Sequence, residues 1–255
     1  MALGNYGSAL VTGASKGIGA AVVRALCSEG ITVHAAARHR PGLERLAADT
    51  GCIVHLLDLT DTQAVHGTLG ELDVDILVSN AAAGPGFDQG YKARPEHIDT
   101  ILETNVLGAI QVVRAIVPGM VARQRGHVVN IGSIAGLYPM KSSIYGASKA
   151  ALHLLSQNLR IELQGSGVRV TEICPGQTDT GFFEGAFEDT QAEAAYIQGL
   201  RGMRLLRPDD VANAILYALN APWHVNVSLV ELTPTEQVPG GLSNVLVSAR
   251  KPVPS

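Results

Sequence analysis

Cysteine is scarce: the 255 residues contain three, Cys27, Cys52 and Cys174. None forms a Cys-x-x-Cys pair or stands beside a histidine at metal-ligand spacing, so no metal site is indicated and structural thiols in a reducing compartment are expected. Charge is also scarce, with 16% charged residues and a formal net charge of −4. Without a basic excess, neither nucleic acid nor an anionic membrane is expected as a partner. No apolar run approaches the roughly 18 residues of a membrane span, and no basic segment followed by an apolar one opens the chain. No span, no signal peptide and a cytoplasmic location are therefore expected. Repeats, linkers and low-complexity segments are missing too, which leaves nothing to divide the chain.

What is present is apolar material, 46% of the residues, enough for a large core. It recurs as short runs: Ser8–Thr12, Ile31–Ala37, Cys52–Leu57, Asp75–Ser79, His127–Ile131, Val168–Cys174 and Val225–Leu232. Helical patterns lie between them, among them Ile18/Val22/Val23/Leu26, a helix opened by Pro41, Glu96–Arg123 as one helix or two, and Ser143–Leu163. Several runs are apolar on both faces, as buried parallel strands are. The alternation predicts an α/β fold, a single doubly wound Rossmann-type domain over residues 1–255 with a parallel sheet of about seven strands. Gly176–Arg207 differs in character and reads as a substrate lid or as a surface helical insertion. Residues 239–255, with three prolines and two glycines, read as an extended C-terminal arm.

The first run ends in Thr12-Gly13-Ala14-Ser15-Lys16-Gly17-Ile18-Gly19. Glycines here permit a tight turn and close approach of backbone to a pyrophosphate, and the next helix aims its N–H groups at the anion. A carboxylate holding the ribose hydroxyls of NAD would stand after the second strand, but the sequence there reads Ala35-Ala36-Ala37-Arg38. Arg38 is suited to a 2′-phosphate and Lys16 adds a second positive charge, so NADP(H) is the expected cofactor, although Arg38 can also be read as a solvated charge. The third strand ends at Leu57-Asp58-Leu59, where Asp58 could hold the adenine amino group or cap a helix, a task equally open to Thr60 or Asp61.

Tyr145 and Lys149 stand four residues apart in a helical stretch, hence on one face. A nearby ammonium and an oxidised nicotinamide both favour the phenolate, which fits Tyr145 for proton exchange with a substrate oxygen. Ser133 follows a strand at the same sheet edge, where its hydroxyl can bond that oxygen. Taken in order, the glycine loop, Asn80-Ala81, Asn105, Ser133, Tyr145-x-x-x-Lys149 and Pro175-Gly176 resemble the short-chain dehydrogenase/reductase family over about residues 8 to 233.

The resemblance implies hydride transfer between NADP(H) and a small carbonyl or alcohol. It implies that Thr12, Gly13, Ser15, Lys16, Gly17, Ile18 and Gly19 line the pyrophosphate and adenosine end, that Asp58 and Leu59 meet the adenine, and that Asn80 and Ala81 lie along the ribose. Asn105 would kink its helix and hold a water in a relay to Lys149. Ser133 would orient the carbonyl, Tyr145 would be the general acid/base, and Lys149 would bond the ribose and depress the tyrosine pKa. Thr178 and Thr180, after Pro175-Gly176, would reach the carboxamide. Three departures stand out: Ser79 and Ala82 flank Asn80-Ala81, the Ser133–Tyr145 spacing is one residue shorter than the family leads one to expect, and Gln177 replaces an aliphatic residue.

Substrate-facing positions are expected at Ala83, Gly84, Leu137, Tyr138, Lys141, Phe182 and Phe183. Lys141, Arg201, Arg204 or Arg207 could hold a carboxylate, or could be solvated lid charges. The tail His224–Gln237 is similar to the branch of NADP-dependent 3-hydroxy acid and serine dehydrogenases, which implies a small polar hydroxy or oxo compound. Family members are dimers or tetramers, and the apolar residues Ile110, Val113, Ile116, Leu152, Leu155 and Leu159 suit such an interface or the chain's own core. A non-catalytic NADP-binding regulator on the same fold is the alternative, and retention of Tyr145 and Lys149 argues against it.

Overall fold

The computed structural model describes residues 3–85, 90–140, 142–182, 186–187 and 190–238. Lys141, Phe183 and the 239–255 arm lie outside them. Strands β1 (Ser8–Thr12), β2 (Thr32–Ala37), β3 (Ile53–Leu56), β4 (Ile76–Ser79), β5 (Gly126–Ile131), β6 (Val168–Pro175) and β7 (Leu229–Leu232) form one parallel sheet in the order β3-β2-β1-β4-β5-β6-β7. This is the doubly wound Rossmann-like arrangement expected. Chain order reverses between β1 and β4, and the carboxyl ends of strands splay apart there to leave a crevice. β4 and β5 are buried throughout, as strands covered on both faces are.

Each face carries its own core. On one side, α1 (Gly17–Ser28), α2 (Arg40–Thr50) and α8 (Pro208–Asn220) pack through Val22, Leu26, Leu43, Leu46 and Ile215. On the other, α3 (Thr62–Leu69), α5 (Ala109–Ala122) and α6 (Ser143–Glu162) pack through Val65, Leu69, Val112, Ile116 and Leu159. Helix starts follow local chemistry. His39 Nδ1 accepts from Gly42 N at 3.1 Å to cap α2, whose first turn holds Pro41, and left-handed Gly51 ends it.

The stretch expected as one helix or two is continuous: α4 (Pro95–Leu102) runs through a π-helical segment, Glu103–Gly108, into α5. Polar residues interrupt every apolar run, yet the 28-residue helix Pro95–Ala122 has a window of mean hydropathy 1.5, long and apolar enough to cross a membrane. Half of that window is buried inside the fold, against α3 and the sheet.

The last strand is shorter than its apolar run. Upstream of Leu229 a backbone bond from Glu172 N to the Ser228 carbonyl (3.0 Å) is followed by side-chain pairing: Val170 N donates to Asn226 Oδ1 (3.0 Å) and Thr171 Oγ1 to the Val227 carbonyl (2.7 Å). Arg169, buried beside them, donates to the carbonyls of Leu219, Ala221 and Val225 and to Tyr6 Oη, all within 3.1 Å, beneath the Trp223 ring. It thereby ties the end of α8 to the sheet. Arg169→Leu leaves those acceptors buried without donors and is expected to cost about 3 kcal/mol in urea unfolding; a loss under about 1 kcal/mol would contradict this account.

Candidate active site

A cavity of about 1070 Å³ opens at the carboxyl ends of the strands, on the switch point. Of the residues expected at the cofactor, Gly13, Ser15, Lys16, Gly17 and Ile18 line it, followed by Arg38, Asp58 and Leu59, then Asn80 and Ala81. Ser133, Tyr138, Tyr145 and Lys149 line its other end with Pro175, Gly176, Thr178 and Thr180. Thr12, Gly19 and Asn105 are buried just behind the wall.

These three shape the wall instead. Thr12 Oγ1 accepts from the N–H groups of Asn80 (3.0 Å) and Ala81 (3.1 Å), while Asn80 Nδ2 donates to the carbonyls of Thr12 (2.9 Å) and Gly13 (3.2 Å). The reciprocal clamp locks the loop after β1 to the end of β4. Gly13 has φ +64°, and a Cβ there would stand 2.8 Å from Ala81 Cα. Gly17, at φ +56°, faces Thr180, where a Cβ would come within 3.2 Å. A backbone cradle bare of side chains, opening a helix and holding Lys16, fits a diphosphate.

Arg38 follows β2 at the adenosine end, 61% exposed, with Nη1 3.5 Å from Asp58 Oδ2. The helix cap is neither Asp58 nor Thr60, because Asp61 Oδ1 accepts from Ala64 N at 2.9 Å to start α3. Asp58 instead turns on Thr60, whose N–H and hydroxyl both reach Oδ1 at 3.0 Å. Burial opposes its charge, but those bonds and Arg38 hold the carboxyl below its ordinary range. An exposed guanidinium at this corner, with no acidic side chain at the end of β2, fits a 2′-phosphate.

At the reactive end, Ser133 caps a short 3₁₀ turn, its Oγ accepting from Ala135 N at 3.1 Å, and Tyr145 lines the same wall of the cavity beside it. Lys149 Nζ is buried, donates to the Ile131 carbonyl at 2.9 Å and lies 5.8 Å from the Tyr145 ring centre. Burial dominates both groups: it pushes the tyrosine up to about 12, against the pull of Ser133, and the lysine down to about 8. Burial outweighs the pull of neighbouring groups on the phenol, and one of the three ammonium protons of Lys149 is engaged by the Ile131 carbonyl. Asn105 sits in the π-helical segment, accepting from Ala83 N (2.7 Å) and donating to the Ala83 carbonyl (2.9 Å) and to Ser148 Oγ (3.1 Å). Its amide is therefore committed to protein partners.

Tyr138 and Phe182 line the substrate end; Ala83, Gly84 and Leu137 do not, and Lys141 and Phe183 fall outside the described residues. Tyr138 Oη donates to Glu231 Oε2 at 3.0 Å. Arg201, Arg204 and Arg207 are exposed and off the wall, whereas Lys92 lies on it. From the 176–207 segment, Gln177, Phe182, Phe187 and Tyr196 line this end, Tyr196 from α7 (Thr190–Gly199). Phe187, Tyr196 and Gln237 carry no local motif and could not be found from spacing; Ser148, next to Lys149, was within reach of a motif reading.

The short chain dehydrogenase family model matches residues 8–191. The NADP-dependent 3-hydroxy acid dehydrogenase YdfG of Escherichia coli K12 is 36% identical over 245 residues, covering 92% of this chain and 97% of that protein. Among solved structures, the closed form of serine dehydrogenase complexed with NADP+ superposes with a TM-score of 0.85 at 36% identity, covering 95% of this chain and all of that one. A metagenomic short-chain oxidoreductase in complex with NADP gives 0.75 at 27% identity, covering 91% and 98%. With its glycine cradle, Asn80 clamp and Ser133–Tyr145–Lys149 cluster on one cavity, the chain belongs to the short-chain dehydrogenase family.

Proposed function

We propose that the protein is an NADP(H)-dependent oxidoreductase of small 3-hydroxy acids and the corresponding oxo acids, working as a single domain in the cytoplasm. The observation that carries the reading is that Ser133, Tyr145 and buried Lys149 line the same cavity as the glycine cradle. Lys16 and Arg38 would hold the phosphates, Asp58 and Leu59 the adenine, Asn80 and Ala81 the ribose, and Thr178 and Thr180 the carboxamide. When bound, the nicotinamide supplies or accepts the hydride.

The chain's own residues do the rest. Ser133 Oγ orients the substrate oxygen, and Tyr145 Oη gives or takes its proton. Lys149 holds positive charge behind the phenol and bonds the ribose. Asn105 braces the Ala83 loop and Ser148, and any water it relays must rest on its main chain. Among the described residues, Lys92 is the lining cation not already assigned to cofactor or to Tyr145, and would be the carboxylate anchor. The names of YdfG and of serine dehydrogenase support this substrate class.

Fluorescence titration is expected to give tighter binding of NADPH than of NADH, followed by turnover of at least one 3-hydroxy acid with NADP+. Inertness toward every 3-hydroxy acid, alongside turnover of neutral ketones, overturns the substrate class. A homodimer or homotetramer is part of the same proposal, but on different residues from those the sequence suggested. Val113, Ile116, Leu152 and Leu159 face the chain's own core, while Leu102, Leu107, Leu154 and Ile161 on α4 to α6 are exposed. Light scattering that returned a monomer at micromolar concentration would remove it.

A further inference from the structure

Glu172 is a carboxylate to which the chemistry above gives no task. It sits in β6 between β5 and β7 with 2% of its surface exposed. Its Oε2 accepts from His153 Nδ1 at 2.6 Å. Its Oε1 has no hydrogen-bond partner among the described residues and lies against Gly132, where a Cβ would collide with it. The charge is thus packed directly beneath the turn that presents Ser133.

His153 shares a ridge of α6 with Tyr145, Lys149 and Gln157, each four residues from the next. Gln157 Nε2 is 2.8 Å from His153 Nε2. An amide N–H facing that nitrogen directs the imidazole Nδ1–H at the Glu172 carboxylate. Lys149 stands in want of such a charge. Burial disfavours its ammonium, and Cys174 and Glu172 are the groups that counter this.

We propose that Glu172, aligned by His153, is a positioning residue whose buried negative charge holds Lys149 as an ammonium behind Tyr145. This rests on the reading of Tyr145 and Lys149 as the proton-transfer pair. Among the described residues, the other titratable groups facing the cluster are Cys174 on β6, Tyr145 and His153 on α6, Tyr196 on α7, and the Tyr138–Glu231 pair at the strand ends. Burial keeps Cys174, Tyr145 and Tyr196 neutral, and Glu231 is engaged by Tyr138. Of the set, Glu172 is the buried anion beside Lys149.

The test is direct titration of the side-chain amines by NMR in the full chain, which has five lysines, with Nζ-labelled lysine. In Glu172→Gln the Lys149 resonance is expected to deprotonate about one pH unit lower, a tenfold change in acidity, and Glu172→Asp should restore most of it. An unchanged midpoint overturns the proposal whatever the substrate. Should Glu172→Gln fail to fold, His153→Lys places a fixed cation on the same carboxylate and should give the same downward shift; no shift again overturns it. In carbonyl reduction the alkaline limb of the pH–rate profile should move down with the lysine, with turnover near pH 6 within about twofold of wild type. Equal loss at every pH with the limb unmoved means a merely structural Glu172 and overturns it. A lysine shift in a protein inert toward every alcohol and ketone supports the charge effect while sinking the proton-transfer reading.

Discussion

Tyr145→Phe is expected to lower turnover by 10²-fold or more, the scale of a lost general acid/base, while NADPH affinity stays within about threefold of wild type. The substitution removes one oxygen and little else. The ring still packs on Phe182, whose centre lies 5.6 Å away, and α6 has no other reason to move. Ser133 keeps its bond from Ala135 N. A loss of turnover without loss of cofactor binding therefore isolates the proton. The same chemistry fixes a sign for pH. With burial holding Tyr145 near 12, alcohol oxidation, which needs the phenolate, should climb as pH rises toward that value, and carbonyl reduction, which needs the protonated phenol, should not. Steady-state rates in both directions, with fluorescence titration of NADPH, provide the check; a loss under tenfold would take Tyr145 out of the proton's path.

Arg38→Asp should reverse cofactor choice, lowering the NADPH/NADH affinity ratio by roughly two orders of magnitude. A charge-assisted bond to phosphate is worth about 1.5–3 kcal/mol, and an anion in its place adds repulsion. The effect is confined to the corner because Arg38 is largely exposed and its partner Asp58 is also held by Thr60. An aspartate at the end of β2 also creates the carboxylate that a ribose hydroxyl would bond, so NADH should gain in absolute terms. Competition titrations of the two nucleotides decide it. An unchanged ratio would mean that the 2′-phosphate is read elsewhere, with Lys16 the next residue to vary.

What could be read from the chain was what depends on short spacings. The glycine loop, the four-residue step from Tyr145 to Lys149 and the apolar runs are all local, and all fell where the periodicities put them. What could not be read depends on contacts between distant residues. Thr12 looked like part of a phosphate loop, yet its hydroxyl is taken by Asn80, 68 positions away. The apolar residues of α5 and α6 gave no sign of which would face inward, because both faces of each helix carry them. Val225–Leu232 shortened to a four-residue strand because Asn226 pairs with β6 through its side chain. The Glu172–His153 pair was invisible for the same reason: strand and helix positions 19 apart meet only once α6 has folded back on the sheet.

The strand order bears on how the molecule comes to be made. During synthesis β1 can recruit β2 and then β3, so the glycine loop is laid down early, but it stays unclamped until Asn80 emerges beside β4. Until then its carbonyls have no amide to hold them, and the nascent chain exposes Ile53, Val54 and Leu56 on an open edge. The reactive cluster forms later still, since Ser133, Lys149 and Cys174 come together only when β6 has paired with β5. Every pairing is parallel and none is a hairpin, so each closes a long loop, and folding of this kind is slow. The clamp on the glycine loop can thus close before the reactive cluster forms, and Thr180, which faces Gly17, completes the cradle only when the carboxyl-terminal third of the chain has emerged.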